Sequence, residues 1–242
     1  MSVAFELRLK TPLGRIQGRL LLPEQARLGE FAWNVMQLDE VLVAQAVRFD
    51  LRQGDKSVSC GKGCGACCRQ LVPLSGPEAF LIARLVAALP PDRRTPLLAR
   101  MAAVRARATA AGFDAVFRTA QFKALAMAYF AAGESCPFLA EECCSIHADR
   151  PFVCREFLVT SSPSLCGNAA RFGEVRAVPL TVRMTDAMAT LAGELFAEEP
   201  AAVPLFAAVE WTVAHREQAE RRFECARLLS RLIEIIEAGG RS

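Results

Sequence analysis

The stretch Cys60-Gly-Lys-Gly-Cys64-Gly-Ala-Cys67-Cys68 places four thiols within nine residues, and Cys136, Cys143, Cys144, Cys154 and Cys166 follow after a long gap. Free cysteine buries well as a small apolar group, but packing gives no reason for C-x3-C-x2-C-C spacing with glycines in the gaps. Thiolate ligation of a metal does. Several sulfurs can aim at one point only where the backbone turns sharply, and Gly61, Gly63 and Gly65 can take positive φ without a Cβ clash, leaving their amides free to donate to sulfur. The chain is therefore expected to fold around a cysteine-rich, metal-binding loop core.

Outward from that loop, the hydrophobic periodicity is mostly helical. Toward the N-terminus, Phe5, Leu7 and Leu9 alternate with polar residues, Thr11-Pro-Leu-Gly14 supplies a turn, and Ile16, Gly18, Leu20 and Leu22 alternate again, which predicts a small β-hairpin. Leu28, Phe31, Val35, Leu38, Val41, Leu42, Ala46 and Phe49 then recur at helical spacing and predict one long helix over residues 24–51. Beyond the loop, Ser75-Gly-Pro-Glu78 has the capping-box pattern for a helix from Pro77 to Leu89, and two more helices are expected over 92–111 and 115–132. The segment from Cys136 to Cys166 reads as loop. Val175 to Val182 predicts a strand, Thr185 to Ala197 a helix, and Pro204 to Ala238 one or two helices bending near His215. The fold class is mainly α. Its divisions are an N-terminal hairpin and helix (1–54), a cysteine-cluster metal-binding domain with a helical insertion (55–170), and C-terminal helices packing on the same domain (171–242).

Composition narrows the function. With 242 residues and 52% hydrophobic content the chain can build a core without disulfides. Met1 to Lys10 lacks the apolar run of a secretory signal, and no stretch reaches the roughly 18 apolar residues a membrane span needs, so a cytoplasmic protein is expected. Clustered thiols in a reducing compartment point to metal binding or redox work rather than to disulfides. A net charge of +3 gives no argument for nucleic acid or an anionic membrane, and a single tyrosine makes no stacking surface. Any protein partner is unspecified.

Sulfur donors exclude calcium and magnesium and leave zinc, iron–sulfur or cuprous ion. Zinc takes four ligands in a tetrahedron, and Cys64-x2-Cys67 spans half such a site; an iron–sulfur cluster takes four thiolates as well. Both fit. At Cys136-Pro-Phe-Leu139, Cys144-Ser-Ile-His147-Ala-Asp-Arg150-Pro151 and Cys154-Arg155-Glu-Phe157, the chain resembles the YkgJ-type cysteine-cluster proteins, also described as a CxxCxxCC zinc- or iron-chelating domain. The resemblance covers about Cys60 to Cys166. It implies a metal set of Cys60, Cys64, Cys67, Cys68, Cys136, Cys144, Cys154 and Cys166, with an iron–sulfur cluster or a zinc or iron ion as cofactor. Some relatives are labelled oxidoreductases, and a similar domain occurs in flagellin lysine methylases, but a shared scaffold does not transfer an activity.

Several residues carry a bland reading beside a functional one. His147 stands where the family commonly has Tyr, which favours packing or hydrogen bonding over ligation. Cys143 is an extra thiol beside Cys144 and reads as a bystander. Cys225, among Phe223, Leu228 and Leu229, reads as a small core residue. Arg150 and Arg155 either compensate the thiolate charge or pair with Glu141, Glu142, Asp149 or Glu156, and the two readings stand level. C-x3-C-x2-C is also the radical SAM spacing, but Ala66 replaces that family's aromatic residue, and too little chain follows the loop for a strand–helix barrel. His215 has no evident partner for acid–base work, and Gly61-x-Gly63-x-Gly65 lacks the strand of a nucleotide-binding turn. Three classes remain: a redox or group-transfer enzyme, a metal-handling module, and a structural zinc domain that presents helices to a partner.

Overall fold

Alternation in the first two dozen residues produces a twisted two-stranded ladder, β1 (Ser2–Thr11) with β2 (Gly14–Pro23), in register from Ser2 opposite Pro23 to Thr11 opposite Gly14. Leu7, Leu9, Ile16, Leu20 and Leu22 share its buried face. The computed structural model describes residues 2–54, 57–112, 119–200 and 202–239.

The single helix expected over 24–51 is instead a short strand, β3 (Gln25–Arg27), and two helices, α1 (Leu28–Asn34) and α2 (Met36–Leu51). The start is extended because Gln25–Arg27 pairs with a distant strand at residues 222–224, a tertiary ladder that overrides the helical spacing. Val35, fully buried and with φ −91 and ψ 4, interrupts the helix. The break lets Leu28 and Phe31 on one side and Leu38 and Leu42 on the other reach the same core.

After the cysteine loop come β4 (Pro73–Leu74) and α3 (Gly76–Ala88). The capping box forms as expected: the Glu78 amide donates to Ser75 Oγ at 3.4 Å, and the Ser75 amide donates to Glu78 Oε2 at 2.9 Å. Then α4 (Pro91–Ala110) and α5 (Thr119–Ala131) follow; the expected start of the latter near 115 lies outside the described residues. The second cysteine segment holds a two-residue hairpin, β5 (Leu139–Ala140) with β6 (Cys143–Cys144), and one helical turn, α6 (Phe152–Glu156).

Val175 to Val182 is not the expected strand. It makes one bridge, Val159 with Ala177, because its pairing is confined to the irregular segment 158–160 and Pro179 has no amide to extend a ladder. Helix α7 (Met184–Phe196) matches its expected span and ends on Ala197 in the left-handed region, φ +54. The C-terminal stretch is more broken than one or two helices: β7 (Val203–Pro204) pairs with β4, and α8 (Ala208–Ala214) turns at His215 into α9 (Arg216–Glu220). Next, β8 (Arg222–Glu224) pairs with β3, and α10 (Cys225–Gly239) closes the described chain.

The architecture is mainly α with a small N-terminal hairpin. The largest apolar cluster joins the hairpin, α1, α2, α7 and α10, with Phe80, Leu81 and Phe152 on its near side. A second cluster packs α3 and α4 against Cys136, Phe138 and Ile146, with Cys68 and Cys144 at its border, so the thiol loops rest on a rigid helical floor. Among the described residues, no helix is long and apolar enough to cross a membrane.

Candidate metal centre

The first cysteine segment turns twice. The Cys64 amide donates to the Gly61 carbonyl at 3.1 Å, and Ala66–Arg69 then forms one 3₁₀ turn, with the Cys68 amide on the Gly65 carbonyl at 3.0 Å. Of the three glycines expected to supply positive φ, only Gly63 does, at +94°. Gly65 serves another purpose: a Cβ there would stand 2.3 Å from the Glu142 carbonyl oxygen and 2.6 Å from Leu139 Cδ1, so the absence of a side chain is what lets the second cysteine segment approach. Gly61 shows neither need.

The two segments lie against each other. The Cys136 amide donates to the Cys68 carbonyl at 2.6 Å, and Arg69 grips the Glu142 carboxylate with Nη2 at 2.7 and 2.9 Å. Gln70 Nε2 donates to the Cys166 carbonyl at 3.0 Å, and the Val159 amide donates to Cys60 Sγ at 3.3 Å. At the tip of the β5–β6 hairpin, Glu141 and Glu142 both take positive φ, +50° and +58°, which turns Cys144 back toward the first loop. Cys154 is delivered by α6, whose first residue is tied to the helical floor: the Phe152 amide donates to Glu78 Oε1 at 2.8 Å. The capping-box glutamate thus anchors both α3 and the turn that carries a thiol.

All eight thiols named from the sequence lie in these segments, and their electrostatic neighbours are mainly one another. The Cys68 thiol is in hydrogen-bonding reach of Cys136, Cys144 and Cys67, and that crowding pushes its pKa far up. Its hydrogen bond holds Cys67 down at about 7 and Cys144 at about 6, against burial and with help from the Arg150 guanidinium. Burial, then the thiols of Cys136, Cys67 and Cys144, raise Cys154. Burial also raises Cys166 to about 11, with Cys60, Cys67 and Cys64 as its charged neighbours. Thiols this crowded repel as they ionise; a cation among them removes that repulsion. Among the described residues, no three Cys, His, Asp or Glu side chains are yet arranged around one metal position, so the sulfurs are gathered rather than aligned. The fit lies in the donor set: soft, numerous, and accompanied by the half-buried Arg150, whose buried Nε has no hydrogen-bond partner.

The two arginines separate. Arg150 faces the sulfurs of Cys60, Cys67, Cys144 and Cys154. Arg155 is consumed elsewhere: Nε donates to the Arg150 carbonyl at 2.9 Å, Nη2 to the Ala148 carbonyl, and Nη1 pairs with Glu40 at 2.9 Å. Its partner is on α2, not among the local acids expected from the sequence. His147 is pushed below its ordinary pKa by burial and by Arg150, Lys62 and Arg155. Cys143 is exposed and directs its thiol to the Gly63 carbonyl at 3.6 Å, and Cys225 is fully buried in the largest apolar cluster. His215 stacks on Trp211, with Nδ1 at 2.7 Å from the Trp211 carbonyl.

Sequence reading missed the Gly65 approach, the Glu78–Phe152 tie and a trio of buried carboxyls, Asp39, Glu78 and Glu156, beside the site. Only Glu78 carried a signal, its capping pattern. Two surface hollows of about 720 and 660 Å³ meet at Trp33, between the hairpin and α1, and neither is lined by a cysteine. Against known proteins, the model of the CxxCxxCC family, described as "Putative zinc- or iron-chelating domain", matches residues 59–177. No curated protein and no solved structure matches.

Proposed function

We propose that this protein, whose residues 59–177 match the CxxCxxCC family model, chelates zinc or iron through the thiolates of Cys60, Cys64, Cys67, Cys68, Cys136, Cys144, Cys154 and Cys166. The observation that carries the reading is the junction of the two cysteine segments: Cys136 hydrogen-bonds to Cys68 through the backbone, and the Cys68 thiol meets those of Cys136 and Cys144. Thiols gathered from segments so far apart in the chain offer a shared set of soft donors, which supports ligation of a common metal.

When bound, the metal supplies a positive centre that lets several adjacent thiols stay ionised. The chain's own residues do the rest. Arg150 offsets the surplus negative charge, and its unpartnered Nε–H is a donor for sulfur. Glu78 fixes the Cys154 turn, and Arg69 with Glu142 holds the two loops shut. The role is metal holding or handling; beside it, burial and then Arg150, Lys62 and Arg155 lower the His147 pKa, and His215 stacks on Trp211. An iron–sulfur cluster is the finer alternative within the same donor set.

Elemental analysis and optical spectra after anaerobic purification test this. Stoichiometric zinc in a colourless protein, or iron with sulfide and absorption near about 400 nm bleached by dithionite, is the expected outcome. Cys225→Ser is expected to leave metal content unchanged. Full-length folded protein that binds neither metal after reconstitution overturns the proposal.

A further inference from the structure

Thr11 stands opposite Gly14 across a two-residue turn, which makes that pair a hydrogen-bonded one, and bonded and open pairs alternate along the hairpin from there. Lys10, opposite Arg15, therefore has an outward amide, and it donates to Glu237 Oε1 of α10 at 2.9 Å. The β1 edge is thus met by α10. On β2 the same alternation turns the amides and carbonyls of Arg15, Gln17, Arg19 and Leu21 outward, and among the described residues none of these four amides has a hydrogen-bond partner. A long edge with open donors and acceptors is a template for another strand.

The surroundings of that edge select its partner. Ala4, Leu21, Trp33 and Met36 line the hollow of about 660 Å³ beside it, with Leu21 67% and Trp33 47% exposed, so an apolar side chain has a place there. The solvent face of the ribbon carries Arg8, Lys10, Arg15 and Arg19 against one acid, Glu6, which pairs with Arg19 at 2.7 Å. Arg8, Lys10 and Arg15 have no carboxylate partner among the described residues. Basic side chains on an edge guard it against like-charged strands and attract only an acidic one. A second copy of the chain would set these cations against each other across the seam. Nucleic acid or an anionic membrane would meet the charge but not the row of amides.

We infer that β2 receives a third strand from a partner protein, an extended acidic segment. It pairs with the outward amides and carbonyls from Arg15 to Leu21, sets carboxylates beside Arg15 and Arg19 in the field of Arg8 and Lys10, and lays an apolar residue against Leu21 and Trp33.

The test titrates the full chain with a fluorescein-labelled peptide that alternates valine and glutamate over the length of β2, with leucine in place of the glutamate nearest each end. Anisotropy is expected to show saturable binding that weakens with added salt, and hydrogen exchange to show new protection at the Gln17, Arg19 and Leu21 amides, with little change at Ile16 and Leu20, which already face β1. The same peptide with lysine for glutamate is expected not to bind. Gln17→Pro removes an outward amide without touching the ladder to β1 and is expected to weaken binding at least ~5-fold. Leu21→Glu, at an exposed position, is expected to weaken it as much, and it decides should Gln17→Pro loosen the hairpin. No binding, protection that does not alternate, equal binding of a peptide with proline at every second position, or equal affinity for duplex DNA or anionic vesicles overturns the inference. So does self-association of the chain through β2.

Discussion

A methyl group at position 65 would collide with the Glu142 carbonyl oxygen, a backbone atom that cannot swing aside. Gly65→Ala is therefore expected to force the two cysteine loops apart, costing about 1–3 kcal/mol in urea denaturation and weakening metal retention during dialysis against a chelator. Unchanged stability and metal content would show that the loops need not touch. At this scale the cysteine pattern was legible because thiol spacing is itself chemical information, and Cys225 was legible because it sits at an apolar helical position. The contrast between Arg150 and Arg155 was not. Both lie in one loop, and which of them turns inward is decided by Glu40, 115 positions before Arg155 in the chain.

Three elements, α2, α3 and α6, each contribute one carboxyl to the interior: Asp39, Glu78 and Glu156. Burial raises all three, Asp39 to about 8 and the other two to about 7, and Asp39 is raised further by the charges of Glu156 and Glu78. A carboxyl whose folded pKa lies above its unfolded value keeps a proton that the unfolded chain has released. Stability from these groups is thus present at low pH and falls as pH rises from about 4 through about 8. Asp39 Oδ2 has no hydrogen-bond partner, and Asp39→Asn replaces the titrating carboxyl by a neutral amide whose buried N–H cost is the same at every pH. Its stability relative to the unmodified protein, measured by urea denaturation at pH 5 and pH 8, is expected to improve toward pH 8 by about 2 kcal/mol or more. A difference that does not change with pH would refute the buried-charge account. The hairpin, the Ser75–Glu78 cap and α7 were readable from local chemistry alone. The failures at β3 and β8 share one cause, a strand partner remote in sequence that no local period records, whereas residues 175–182 fail through Pro179 and a single bridge to Val159.

The molecule distributes its packing unequally. Its largest apolar cluster ties the hairpin, α1 and α2 to α7 and α10, whereas the thiol loops are secured mainly by polar contacts and a border position on the second cluster. Metal removal is accordingly expected to loosen residues 60–68 and 136–166 and to spare the large cluster. Hydrogen exchange reports this directly: amides at Cys64, Cys68 and Cys136 should lose protection, while those at Leu38, Leu42, Leu228 and Leu232 keep theirs. Loss of protection in both regions would mean that the metal supports the entire fold. The separation of Cys68 from Cys136 by 68 positions has a further consequence, in time. At roughly 10 residues per second, a ribosome exposes the first four thiols about seven seconds before Cys136 is made. Throughout that interval the nascent chain presents a half-built claw, open to oxidants and to whichever ion arrives first, so the conditions of synthesis help decide what the finished protein contains.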